Sequence, residues 1–185
     1  MTSEGRLPLP STWLTWHDYL LRPGMRVLDV ACGQGRHSLA AAARGAAVTA
    51  WDRDGTALEA GRAQAAARDL TIEWQVVDLE GAWPDMPPFD AVLVFDYLDR
   101  GSVPRLLQSL APDGLLIMET FMVTQRELGW GPTRDEHLLA RGELARLIAP
   151  LEVIHGREVL EPVDVERWRS VASVVARRRP DSPSR

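Results

Sequence analysis

One cysteine, Cys32, in 185 residues excludes an intramolecular disulfide and a thiolate metal cluster, and suits a reducing cytoplasm. No apolar run approaches the ~20 residues of a membrane helix, and the N-terminus lacks a basic region followed by an apolar core, so neither insertion nor secretion is indicated. A basic surplus is absent too. The net charge of −5 and a pI near 5.4 argue against a protein that grips duplex nucleic acid through its phosphates. A soluble, cytoplasmic monomer or homodimer that takes a small molecule and no metal, nucleic acid or membrane is the expectation. With 45% apolar and 25% charged residues, the length fits one core of ordinary size.

What the chain does have is centred on Met25-Arg26-Val27-Leu28-Asp29-Val30-Ala31-Cys32-Gly33-Gln34-Gly35-Arg36-His37. An apolar run ends in a carboxylate, passes two glycines and enters an alanine-rich segment, which reads as strand, tight turn and helix. Gly33 and Gly35 allow positive φ and close approach of a ligand, and the first N–H groups of the helix point at whatever sits there. A second apolar strand, Ala47 to Trp51, closes with Asp52. In a right-handed βαβ unit that acid lies beside the glycine turn, where it can accept both hydroxyls of a ribose or cap the next helix. Thr71 to Val77 is the third strand, ending in Asp78, and Phe89 to Phe95 the fourth, apolar on both faces and followed by Asp96-Tyr97-Leu98-Asp99-Arg100. A fifth strand, Leu115 to Thr120, carries Glu119. It follows a helix opened by Ser102 and a Pro112-Asp113-Gly114 turn.

Around this frame, Ser11 predicts a helix to about Leu21 that brings Trp13, Trp16, His17 and Tyr19 together, either packed on the sheet edge or covering a pocket. Phe121 to Arg141 has no sustained periodicity and reads as a binding loop or as a loop packed by Trp130 and Leu138-Leu139. Leu151 to Glu158 and Ser170 to Ala176 pair as a hairpin. The expected organisation is an N-terminal helical cap over 1–22, one α/β domain over 23–179 and a disordered tail over 180–185.

The ordered succession Val27 to Gly35, Val48 to Asp52, Val77-Asp78-Leu79, Phe89 to Val94 and Leu110 to Leu116 resembles class I S-adenosylmethionine-dependent methyltransferases, over roughly residues 22 to 120. The resemblance implies a three-layer, Rossmann-like, doubly wound, mostly parallel seven-stranded sheet with one antiparallel strand near the C-terminus. It implies S-adenosyl-L-methionine as cofactor, held by Asp29, Ala31, Gly33, Gly35, His37, Asp52, Arg53, Asp78, Leu79 and Phe95. Asp52 would take the ribose hydroxyls and Asp78 the adenine amino group. Ala31 departs from the glycine many members carry. A dinucleotide site is disfavoured, because Ser38 stands where that fingerprint needs Gly or Ala, and Asp29 would repel a pyrophosphate but attract an ammonium.

Methyl transfer by in-line displacement needs alignment and exclusion of water, plus a base if the acceptor must lose a proton. Asp96 and Tyr97 are the catalytic candidates, with His17, His37, Glu119 and His137 as other possible bases. Arg100, Glu119, Trp130 and His137 are the acceptor-binding candidates. Overall size and pattern are similar to the small-molecule branch that includes tellurite-resistance and thiopurine-type enzymes. The alternative is a catalytically silent cofactor-binding domain that regulates or scaffolds a partner.

Overall fold

A computed structural model describes residues 9–180. The start of the expected N-terminal cap and all but Pro180 of the expected disordered tail therefore lie outside the described residues. The chain forms a seven-stranded sheet of order β3-β2-β1-β4-β5-β7-β6 and divides after Pro84 into two compact units. No helix among the described residues is long and apolar enough to cross a membrane.

In the first unit, β1 (Arg26–Val30), β2 (Ala47–Asp52) and β3 (Ile72–Val76) run parallel, with Val27 opposite Val48 and Val48 opposite Ile72. The connections are α2 (Arg36–Ala43) and α3 (Gly55–Ala66), preceded by α1 (Thr12–His17). Ser11 caps α1 as expected, its hydroxyl accepting the Trp13 N–H at 3.0 Å, but the helix tightens into a 3-10 turn over Asp18–Leu20 instead of continuing to Leu21. The Asp54 carboxylate caps α3, accepting N–H groups from Thr56 and Ala57.

Packing in this unit turns on one indole. Trp74 of β3 is buried among Cys32, Leu39, Ala50, Leu58 and Ala65. A Cβ placed on Gly35 would stand 2.2 Å from its ring, and one on Gly61, in the middle of α3, 2.5 Å from the same ring and 2.9 Å from the Gln34 carbonyl oxygen. Two segments thus come close enough to clasp Trp74 only because both lack side chains. Gly61→Ala should therefore lower stability by roughly 1–3 kcal/mol, as overpacking does, despite the ~1 kcal/mol that alanine gains in a helix. Urea unfolding measures this.

In the second unit, β4 (Phe89–Phe95) pairs in parallel with β5 (Leu110–Phe121), and β7 (Trp168–Arg177) runs antiparallel to both β5 and the edge strand β6 (Glu152–Pro162). β5 begins earlier than the sequence suggests. Phe89 faces Leu110 but Ala91 faces Leu115, so the Pro112-Asp113-Gly114 turn is a bulge within the strand, with Asp113 at φ +62°. Two short helices cover this unit, α4 (Val103–Gln108) and α5 (Glu143–Leu147). Ser102 precedes α4, yet its hydroxyl donates to the Asp99 carbonyl instead of capping the helix.

Candidate cofactor and acceptor sites

The first unit builds its site from three strand ends. After β1 the chain turns through Ala31 (φ +55°), Gly33 (φ +55°) and Gly35 (φ +77°) into α2. The Cys32 N–H reaches the Trp51 carbonyl at 2.9 Å, extending the β1–β2 ladder, and the Gly35 N–H closes the turn on the Cys32 carbonyl at 2.9 Å. Asp52, at the end of β2, accepts the Gly33 N–H at 2.7 Å through Oδ2 and the Asp54 N–H at 2.9 Å through Oδ1. An ionised carboxylate offers about four lone-pair positions, so each oxygen keeps one for a hydroxyl. A Cβ on Gly33 would meet nothing within 4 Å, whereas one on Gly35 runs into Trp74. Of the two glycines, Gly33 leaves open space and Gly35 serves packing.

Asp29 is 1% exposed and accepts the Ser38 hydroxyl at 2.5 Å through Oδ2, while its buried Oδ1 has no hydrogen-bond partner among the described residues. Ser38, which in sequence stands where a dinucleotide fingerprint needs Gly or Ala, is thus the partner of Asp29. Its spacing, nine residues after Asp29 in the first turn of a helix, is the one signal that would have paired them. Ala31 sits in the left-handed region, which costs an L-residue roughly 1–2 kcal/mol. His37 is buried, and its Nε2 accepts the Ser11 N–H at 3.2 Å, which makes it an anchor for the chain entering α1. His17 is buried as well and donates from Nδ1 to the Trp13 carbonyl of its own helix. Arg53 is exposed. Asp78 is also exposed, its Oδ1 holding the Glu80 N–H, and Leu79 is buried. Trp83, absent from the expected set, folds back in this unit: its Nε1 donates to the Leu79 carbonyl and its ring meets Trp51 edge-on at 5.5 Å. Burial raises the Cys32 thiol well above its ordinary range, so it is an inert packing residue.

In the second unit, Phe95 ends β4 buried, and Asp96 follows exposed at φ +56°, its N–H donated to the Glu119 carbonyl at 2.9 Å. A non-glycine residue in that conformation at a strand end is the kind of stored strain found at functional sites. Tyr97 beside it has a buried hydroxyl. Glu119 is completely buried. Its Oε2 accepts the Ser173 hydroxyl at 2.6 Å and Arg157 at 3.1 Å, and its Oε1 lies 2.9 Å from Arg169. Both arginines also reach Glu161, at 2.8 and 2.6 Å. The structure thus places Glu119 inside an ion cluster rather than facing solvent. Trp130 stands edge-on to Phe121 at 6.0 Å, with the Arg167 guanidinium 5.5 Å from its ring centre. His137 is exposed, its Nε2 3.3 Å from Glu136. Arg100 spends its guanidinium on protein partners, Glu143 foremost at 2.7 Å.

Residues 27–114 match a family model described as a methyltransferase domain. A protein-L-isoaspartate O-methyltransferase of Methylorubrum populi is 39% identical over 99 residues, covering 53% of this chain and 46% of the relative. A ubiquinone biosynthesis O-methyltransferase of Methylocella silvestris is 30% identical over 73% of this chain and 61% of its own length. Among solved structures, TehB from Haemophilus influenzae superposes with a TM-score of 0.74 at 20% identity, covering 90% of this chain and 61% of that one. The N-methyltransferase NodS from Bradyrhizobium japonicum gives 0.71 at 18% identity, over 91% and 93%. The chain shares the fold of these methyltransferases, and its residues 27–114 match the methyltransferase domain. It spans less than two thirds of the length of these curated relatives, 46% and 61%.

The cofactor of class I methyltransferases is S-adenosyl-L-methionine, and the residues present suit it. The open space at Gly33 admits a backbone-hugging ligand, the unpartnered Asp29 Oδ1 suits an ammonium group, and Asp52 has acceptor capacity left for vicinal hydroxyls.

The turn after β1 carries a pH signature. Burial, with Asp52 nearby adding to it, pushes the Asp29 carboxyl up to about 7 against the opposing Ser38 hydrogen bonds and Arg36 charge. The folded state then binds more protons than the unfolded chain between about pH 4 and 7, so this group's contribution to stability is fully present below that window and is lost as the pH rises through 7. Between pH 6 and 8 the ligand-free protein should lose roughly 1.4 kcal/mol that the Asp29→Asn variant retains. Urea unfolding of both proteins at the two pH values checks this.

Proposed function

We propose that this chain is an S-adenosylmethionine-dependent methyltransferase acting on a small-molecule acceptor. The observation that carries the reading is the turn after β1, where the Asp52 carboxylate accepts the Gly33 N–H at 2.7 Å while Asp29 Oδ1 stays buried and unpartnered. In this assignment Asp29 faces the cofactor's ammonium, directly or through water, and Asp52 takes the ribose hydroxyls. Gly33 supplies backbone approach, and Ala31 sets the left-handed step that opens the turn. Asp78 and Leu79 contact the adenine, with Trp83 closing over them, and Arg53 and Phe95 flank the cofactor. His37 and Gly35 act behind the site, one anchoring the N-terminal segment and the other accommodating Trp74.

When bound, the cofactor supplies an electrophilic methyl group on a sulfonium. The protein's own residues must align the acceptor with it and exclude water. Asp96 takes the acceptor's proton where one must leave, Tyr97 borders that position, and Trp130 and His137 belong to the acceptor wall. The relatives are O-methyltransferases and one structural neighbour is an N-methyltransferase, which supports a nucleophilic oxygen or nitrogen acceptor without choosing the atom.

The test is turnover. The full chain is incubated with S-adenosylmethionine and a panel of thiols, phenols, amines, carboxylates and oxyanions, and S-adenosylhomocysteine is measured. Release above background that depends on one acceptor class supports the proposal. Tight cofactor binding with no release across the panel would instead favour a silent binding domain.

A further inference from the structure

The loop after β5 was expected either to bind the acceptor or merely to pack, and Arg100 either to orient an anionic acceptor or to pair with Asp99 or a helix end. The structure connects these two features. Arg100 lies five residues beyond the end of β4, and its guanidinium carries five N–H groups in a rigid fork. Nε and Nη2 grip both oxygens of Glu143, at 2.7 and 3.1 Å, in the bidentate arrangement that is strongest for this pair. Nη1 donates to the carbonyls of Asp135 at 3.4 Å and Glu136 at 3.0 Å, and Nη2 also donates to that of Leu138 at 2.9 Å. The donors are thereby committed within the protein. Glu143 Oε2 in turn accepts the Ala140 N–H at 2.7 Å, and the hydrogen bond from Arg100 holds its carboxyl below the usual range.

Two further side chains pin the same segment. Gln125 is fully buried, donates to the Trp130 carbonyl at 3.0 Å and accepts the Ser170 N–H of β7 at 2.8 Å. Arg126 donates from Nε to the Thr133 carbonyl at 2.8 Å and pairs with Asp135. Beyond the arc the chain rejoins the core, where Leu138 and Leu139 are buried and the Leu139 N–H reaches the Phe121 carbonyl. An otherwise irregular stretch is therefore tied down at 130, 133, 135, 136 and 138.

We infer that Arg100 and Glu143 form a clasp that pre-shapes residues 130–138 as the acceptor wall, so that Arg100 is a positioning residue and not a ligand of the acceptor. The inference builds on the methyltransferase reading for the word acceptor, while the clasp itself stands on the hydrogen bonds. Its chemical consequence concerns charge. With the fork consumed, an anionic acceptor receives nothing from Arg100 that an uncharged one lacks.

Hydrogen exchange and steady-state kinetics on the full chain test this with Arg100→Lys and Glu143→Gln. Lysine keeps the charge but replaces the fork by a point donor. Both variants should exchange amides in residues 133–140 at least tenfold faster than wild type without ligand, and bind S-adenosylhomocysteine within threefold of it. Both should raise KM for the acceptors that turn over by a similar factor whether those are carboxylates or uncharged analogues, with a smaller effect on kcat. Unchanged exchange in both variants would overturn the clasp. A KM loss confined to anionic acceptors in Arg100→Lys, and absent in Glu143→Gln, would overturn the positioning role and restore Arg100 as a ligand. Failure of the wild type to bind or turn over would sink the functional reading alone, and the exchange result would still decide the clasp.

Discussion

Glu119→Ala should lower folding stability by on the order of 3–5 kcal/mol, because removing one member of a buried ionic cluster leaves its partners charged and unpaired. Glu119 is completely buried, and the side chains of Arg157 and Arg169 that contact it are only 15% and 11% exposed. Those guanidinium groups would keep Glu161 but lose the carboxylate beneath them, and the Ser173 hydroxyl would lose its acceptor. Glu119→Gln, which retains an acceptor oxygen but no charge, should fall between the two proteins. Urea unfolding followed by circular dichroism gives the difference. A wild-type midpoint in Glu119→Ala would mean that the cluster is not formed in solution. Because Glu119 joins β5 to the hairpin of β6 and β7, the loss should appear as earlier unfolding of the whole second unit and not as a local change.

Asp52→Ala should weaken S-adenosylmethionine binding by about a hundredfold. Two hydrogen bonds from ribose hydroxyls to a charged acceptor are worth roughly 3 kcal/mol together, and 1.4 kcal/mol is a factor of ten. The same substitution leaves the Gly33 and Asp54 N–H groups without their acceptor, so the turn loosens even without ligand. Stability should drop by about 1–2 kcal/mol, since lost hydrogen bonds of this kind cost about that much. Calorimetric titration and urea unfolding separate the two effects. Asp52→Asn, which preserves one carbonyl acceptor, should recover most of the stability and little of the affinity.

Much of this was legible in the sequence because it depends on local order. Apolar runs ending in acids placed β1 to β4, and the glycine turn followed by Asp52 placed the cofactor side, because a βαβ unit brings successive strand ends together whatever the side chains. The hairpin of β6 and β7 followed from local order as well, whereas one antiparallel member was implied only by the family resemblance, and that member is β7. The rest depends on partners whose distance along the chain carries no signal. Trp74 is clasped by glycines at 35 and 61, so Gly35 looks like a ligand-approach residue until the indole is seen. Glu119 reads as a rim acid because its arginines arrive 38 and 50 residues later. Arg100 likewise finds Glu143 across 43 residues. Every one of the 21 basic residues is arginine, and the fork of that side chain lets a few of them organise whole loops.

The most direct measurement is a calorimetric titration of the 185-residue chain with S-adenosylmethionine at pH 8, alongside Asp52→Ala. The predicted result is saturable one-to-one binding by the wild type and an affinity about a hundredfold weaker in the variant. No binding by the wild type, or equal affinity in the two proteins, would contradict the assignment of the β1 turn as the cofactor site.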